Sequence, residues 1–111
     1  MNFRFPVFLD LTGKRCLVTG EGYEVAGKVQ ALVDASAEVV YVNPQAEAAI
    51  EAMAAGGLIR WERRGFVDAD LDGLFLVISD LEDNSAIFRM AEELGILCNC
   101  LSRAPAHPVS F

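Results

Sequence analysis

The chain has 111 residues, 53% of them hydrophobic, and a formal net charge of −7. That suits one domain around one core and excludes a disordered chain. The negative balance argues against nucleic acid and anionic membrane as partners, because both need clustered positive charge. No apolar run approaches the ~20 residues of a membrane span. The apolar start MNFRFPVFLDL is broken by Pro6 and Asp10 and has no small-residue cleavage site, so it reads as a lead-in strand or docking arm, not a signal peptide.

In chain order, Phe5 to Leu11 alternates loosely and meets a turn at Thr12-Gly13-Lys14. Arg15 to Thr19 reads as the first buried strand. Tyr23 to Asp34 carries Val25, Ala26, Val29, Leu32 and Val33 at helical spacing and closes at Ala35-Ser36. Glu38 to Val42 is a β-branched strand that ends at Asn43-Pro44. Gln45 to Ala55 is an alanine-rich helix, with Pro44 suited to its first turn and Gly56-Gly57 as its stop. Leu58 to Glu62 is a short strand, and Asp68 to Asp72 a turn or a single helical turn. Leu74 to Ile78 is the most hydrophobic strand. Asp83 to Leu94 is a helix with Ile87, Met90, Ala91 and Leu94 on one face, ended by Gly95. Ile96 to Leu101 is the last strand. Continuous apolar strands alternating with helices predict an α/β fold: a doubly wound, mostly parallel five-stranded sheet covered by helices on both faces.

The three cysteines are Cys16, Cys98 and Cys100, with no C-x-x-C among them. Cys98 and Cys100 stand at i, i+2 in a strand and so face one side of the sheet. They read as buried thiols of a reduced, cytoplasmic protein. Two thiols and the remote His107 do not make a structural zinc set, so no metal site is expected. His107 itself reads as a surface tail residue. Arg60, Arg63 and Arg64 are a small basic cluster, weighed as a carboxylate-binding patch against a solvated strand edge paired with Glu62.

The candidate site is the stretch RCLVTGEGYEVAGK. A strand runs into Gly20-Glu21-Gly22 and a helix follows, which is the opening unit of a Rossmann-like dinucleotide-binding domain. Gly20 permits a tight turn, Gly22 lets the backbone approach a pyrophosphate, and the helix N-terminus offers N–H donors. Asn43, about 20 residues on, stands where a ribose would be read. No Arg or Lys adjoins it in sequence to meet a 2′-phosphate, which favours NAD over NADP. A plain helix entry at Asn43-Pro44 remains the other reading.

The stretches PVFLDLTGKRCLVTGEG, VAGKVQALVDASAEVVYVNP, GLIRWERRGFVDADLDGLFLVISDLED and GILCN follow one another through nearly the whole chain. In that order they resemble the NAD-binding N-terminal domain of siroheme synthase, the precorrin-2 dehydrogenase/sirohydrochlorin ferrochelatase family. The string DLDGLFLVI followed by the acidic pair Glu82 and Asp83, and the lead-in P-x-F-L-D-L-x-G, carry the resemblance most specifically. It implies NAD-dependent oxidation of precorrin-2 to sirohydrochlorin, a tetrapyrrole substrate, and in many members iron insertion. It also implies a homodimer formed through a region downstream of this domain, so residues 1–111 are expected to be one dinucleotide-binding domain without that region.

By the resemblance, Gly20 and Gly22 are the first and last glycines of the family's turn, and Tyr23 and Glu24 fall where its backbone meets the cofactor. Val25 takes the place of the small third residue, and Pro44 and Gln45 lie beside the adenosine. Glu21 and Asp80 depart from the pattern by adding charge near a phosphate-bearing ligand. The family's acid/base aspartate has Ser102 or Arg103 in its place, so no catalytic residue is assigned. Two readings stand: the NAD-binding domain of a precorrin-2 dehydrogenase, or a catalytically inactive binding or regulatory module with a degraded nucleotide site. An open turn over Glu21 to Val25 supports the first, a filled one the second.

Overall fold

The computed structural model describes residues 7–101. Its elements are β1 (Arg15–Gly20), α1 (Val25–Asp34), β2 (Glu38–Val42), α2 (Ala48–Ala55), β3 (Arg60–Glu62), a 3-10 turn (Asp68–Leu71), β4 (Leu76–Asp80), α3 (Ser85–Leu94) and β5 (Leu97–Cys100). The strands form one parallel sheet in the order β3-β2-β1-β4-β5, with β1 at its centre. This is the expected doubly wound α/β architecture. The strand order reverses direction at β1, the place where open α/β sheets build ligand sites beyond their carboxyl ends.

Alternation along the strands sends two sets of side chains to opposite faces. Cys16, Val18, Val39, Tyr41, Leu76 and Ile78 pack on one face with Val25, Val29 and Leu32 of α1 and Ile50 and Met53 of α2. Leu17, Val42, Val77, Cys98 and Cys100 pack on the other with Ile87 and Ala91 of α3 and with Leu71. Both Cys98 and Cys100 therefore face α3, with their sulfurs 3.6 Å apart and unbridged. The hydrogen bond with the Cys100 thiol, with burial, pushes the Cys98 thiol up from its ordinary range, and burial alone pushes Cys16 up to about 11.

Several boundaries differ from the sequence expectation, each for a local reason. The lead-in residues 7–11 form no strand; Val7, Phe8 and Leu9 are exposed and only Leu11 is buried. The first helix starts at Val25 because Gly22 to Val25 is a turn, closed by the Val25 N–H on the Gly22 carbonyl (3.0 Å). It ends as expected: Ser36 takes a left-handed conformation (φ 63°), and the Ala37 N–H returns to the Leu32 carbonyl (3.1 Å). The second helix starts at Ala48, so Pro44 is not in its first turn. The Asn43 side-chain amide donates to the Gln45 carbonyl (2.8 Å) and holds the entry extended. Asp83 lies outside α3, accepting the Ser85 N–H (2.9 Å). Leu94, expected on the buried face, is 57% exposed, in the last turn before the chain reverses through Gly95. The fourth strand runs to Asp80, two residues past its apolar run, and pairs Asp80 with Gly20.

Candidate functional site

The site lies at the carboxyl end of β1. Gly20 has φ +121°, a conformation L-residues rarely adopt, and a side chain there would collide with the Asp80 backbone carbonyl. Glycine is therefore required at position 20 by the sheet itself. Its carbonyl accepts a 2.5 Å hydrogen bond from the Tyr41 hydroxyl, and that hydroxyl also lies 3.4 Å from the Gln45 carbonyl. Tyr41 is 1% exposed and ties the glycine turn to the β2–α2 loop. Burial, with the carboxylates of Glu21 and Glu47 nearby, pushes its phenol up to about 12.

Between the turn and that loop opens a cleft of about 140 Å³, walled by Val25, Tyr41, Ala46 and Ile50, with Glu21, Gln45 and Glu47 completing its lining. Val25 is buried in the core, against the face of the sheet that carries Val18, Tyr41 and Ile78. Asn43 is 4% exposed and shapes this wall from behind. Its amide holds Gln45, its carbonyl accepts the Trp61 indole N–H (2.9 Å), and its own N–H reaches the Glu62 carbonyl (3.2 Å). Of the residues singled out by sequence, Val25 and Gln45 line the cleft, while Gly20 and Asn43 support it. Pro44 is exposed at the loop. Glu24 is exposed, and Tyr23 is 89% exposed; neither lines the cleft.

The other flank of the turn is occupied. A side chain on Gly22 would overlap the Asp80 carboxylate, whose Oδ2 fills the space beside the Gly22 Cα. Asp80 is 5% exposed. Below it, Ser79 is fully buried and donates to the Asn84 side-chain oxygen (2.6 Å), which also accepts the Leu81 N–H (2.9 Å). This network fixes the loop after β4. Tyr41 passed unnoticed in the sequence as one more strand aromatic; its hydroxyl opposite a glycine carbonyl depends on parallel register, which only the fold supplies.

The basic cluster is spent on neighbours. Arg60 pairs with Glu62 (2.6 Å), Arg64 holds both Asp70 oxygens (2.9 and 2.7 Å), and Arg63 lies over the Trp61 ring (4.2 Å). That is the solvated, paired strand edge, not an open carboxylate receptor. Among the described residues, no group of three or more His, Cys, Asp or Glu is placed to hold a metal ion, and no helix is long and apolar enough to cross a membrane. Ser102, Arg103 and His107 lie outside the described residues.

Comparison with known proteins decides the family. The NAD_binding_7 profile, described as "Putative NAD(P)-binding", matches residues 7–111. The chain belongs to this NAD(P)-binding family. Within it the chain is similar to the N-terminal domain of siroheme synthases, as the motifs implied. It is 37% identical over 95 residues to a siroheme synthase of Neisseria meningitidis serogroup C, covering 83% of this chain and 20% of that protein. It is 33% identical over 103 residues to siroheme synthase 1 of Serratia proteamaculans, covering 90% and 22%. The chain thus spans about a fifth of the curated relatives it matches. Among solved structures, SirC, precorrin-2 dehydrogenase, superposes with a TM-score of 0.82 at 23% identity, over 97% of this chain and 54% of that one. The apo-structure of D-lactate dehydrogenase from Escherichia coli gives 0.60 at 13% identity, over 86% and 31%. Both likenesses are of fold.

Measured against the family's ligand, the two flanks differ. The cleft beside Tyr41 is open, and at about 140 Å³ it is smaller than the roughly 300–1,000 Å³ of ordinary ligand pockets. With Asp80 where it stands, the glycine turn does not fit a diphosphate.

Proposed function

We propose that this chain is the NAD-binding domain of a precorrin-2 dehydrogenase-like protein of siroheme biosynthesis, whose whole-protein reaction is the oxidation of the tetrapyrrole precorrin-2 to sirohydrochlorin. The observation that carries this reading is the cleft between the Gly20–Val25 turn and the β2–α2 loop, at the point where the strand order reverses. Val25 and Gln45 are the walls for adenosine, Gly20 and Asn43 support them, and Gly22 offers close backbone approach only where the Asp80 carboxylate leaves it. Glu21 and Glu47 line the cleft and oppose a 2′-phosphate, which favours NAD over NADP. The place of a diphosphate beside Gly22 is taken by the Asp80 carboxylate, and Ser102 or Arg103 stands where the family carries its acid/base aspartate.

A second reading is favoured by that same obstruction. With Asp80 against Gly22, the domain is a binding or regulatory module that keeps the fold without the reaction. Calorimetric titration with NAD, with NADP as control, separates the two. The first reading predicts saturable NAD binding at sub-millimolar concentration and weaker NADP binding. No binding of either up to millimolar concentration overturns it in favour of the module.

A further inference from the structure

Position 80 is where the fold and the ligand of a dinucleotide site compete for one space. Period-two alternation puts Asp80 on the same face as Ile78, the face covered by α1 and α2. Since β4 runs on to pair Asp80 with Gly20, its side chain meets the turn that opens α1. Its Oδ2 stands where a Gly22 side chain would be, in the concavity that a glycine turn offers to an anion. The only 5% exposure of Asp80 shows that this position is a packed one. Glu21, the residue between the glycines, is exposed and adds a second carboxylate beside the same turn. On the opposite flank the cleft walled by Val25, Tyr41 and Ile50 is untouched by Asp80.

We propose that Asp80 is a specificity-determining residue. Its carboxylate stands in for a ligand diphosphate in the glycine turn, so the site takes the adenosine moiety directly and a diphosphate only when the Asp80 side chain swings out. The proposal rests on the reading of the cleft as a nucleotide site. The obstruction has two parts. One is volume, since ligand phosphate and Asp80 carboxylate cannot share the space beside Gly22. The other is charge, since two anions at contact repel strongly where water is largely excluded. The obstacle is a short side chain rather than backbone, so it lowers affinity without abolishing it: the apparent dissociation constant rises by the inverse of the fraction of time the turn is vacant.

The test is calorimetric titration of adenosine and of NAD into the chain, Asp80→Ala and Asp80→Asn, with thermal melts of each. Asp80→Ala removes volume and charge and is expected to tighten NAD by about tenfold or more while leaving adenosine within about twofold. Asp80→Asn keeps the shape and removes the charge, and is expected to tighten NAD by less. If Asp80→Ala fails to fold, the isosteric variant alone carries the test. An unchanged ratio of NAD to adenosine affinity in the folded variants overturns the proposal. If the unaltered chain and both variants bind NAD equally, the nucleotide site stands and Asp80 has no part in its specificity. If none binds adenosine or NAD, the nucleotide reading falls with it.

Discussion

The glycine turn is flanked by one side chain from each neighbouring strand, and the two flanks differ in what they leave behind. From β2, Tyr41 bonds the Gly20 carbonyl at 2.5 Å and leaves a cleft walled by Val25 and Ile50. From β4, on the same face of the sheet, Asp80 fills the space beside Gly22. Both side chains are buried, and both β2 and β4 pair with the central strand. Only the first leaves a ligand somewhere to go. The dinucleotide fold and the diphosphate site are thus separable: Gly20 is demanded by backbone geometry and Gly22 by the Asp80 carboxylate beside it, whether or not a phosphate is bound, so the two glycines alone do not report on the cofactor.

Three substitutions sharpen that contrast. The largest effect is expected for Gly20→Ala, which forces an L-residue to φ +121° and drives its Cβ into the Asp80 carbonyl. A loss of about 3 kcal/mol in urea unfolding is the expected outcome, the sum of a left-handed backbone and an overpacked contact. A near-neutral result would mean that the turn is not locked by the sheet. Next comes Tyr41→Phe, which removes the hydroxyl donor from a buried carbonyl and is expected to cost about 1–2 kcal/mol. Its pH signature is specific. The phenol is held protonated in the fold, up to about 12, so its contribution is fully present below about pH 10 and is lost as pH rises from there through the folded value. The alkaline fall in urea midpoint should shrink in Tyr41→Phe; an identical fall in both proteins would show that Tyr41 is not its source. The smallest effect belongs to Asp70→Asn, far from the turn. The Arg64 hydrogen bonds hold the Asp70 carboxyl below the usual carboxylate range, so the pair stabilises above about pH 4 and its contribution fades as pH falls through the lowered value. The variant should flatten the acid limb of the stability profile and leave ligand binding unchanged, and a change in binding would tie the β3 edge to the site.

The fold was legible because its strands are buried on both faces and so read as continuous apolar runs separated by amphipathic helices. Boundaries were less so, because short side-chain and turn hydrogen bonds set them: Asn43 to Gln45, Asp83 to Ser85, and Val25 back to Gly22 each delay a helix that periodicity alone would start earlier. The glycine turn was legible from the strand before it and the helix after it. Tyr41 was not, since nothing in EVVYV separates a packing tyrosine from one that clamps a neighbouring carbonyl. Asp80 was visible as an extra charge, yet its position was hidden: the apolar run stops at Ile78, and hydrophobicity gives no sign that the ladder continues two residues further to face Gly20.

A nucleotide site at the glycine turn is tested by the map of amide shifts when NAD is added to the isotopically labelled chain. Shifts are expected at Gly22, Val25, Tyr41, Gln45 and Ile50, the turn and cleft that share one end of the sheet. Shifts confined to the β3 edge around Trp61 and Arg63, or none at saturating NAD, would contradict it.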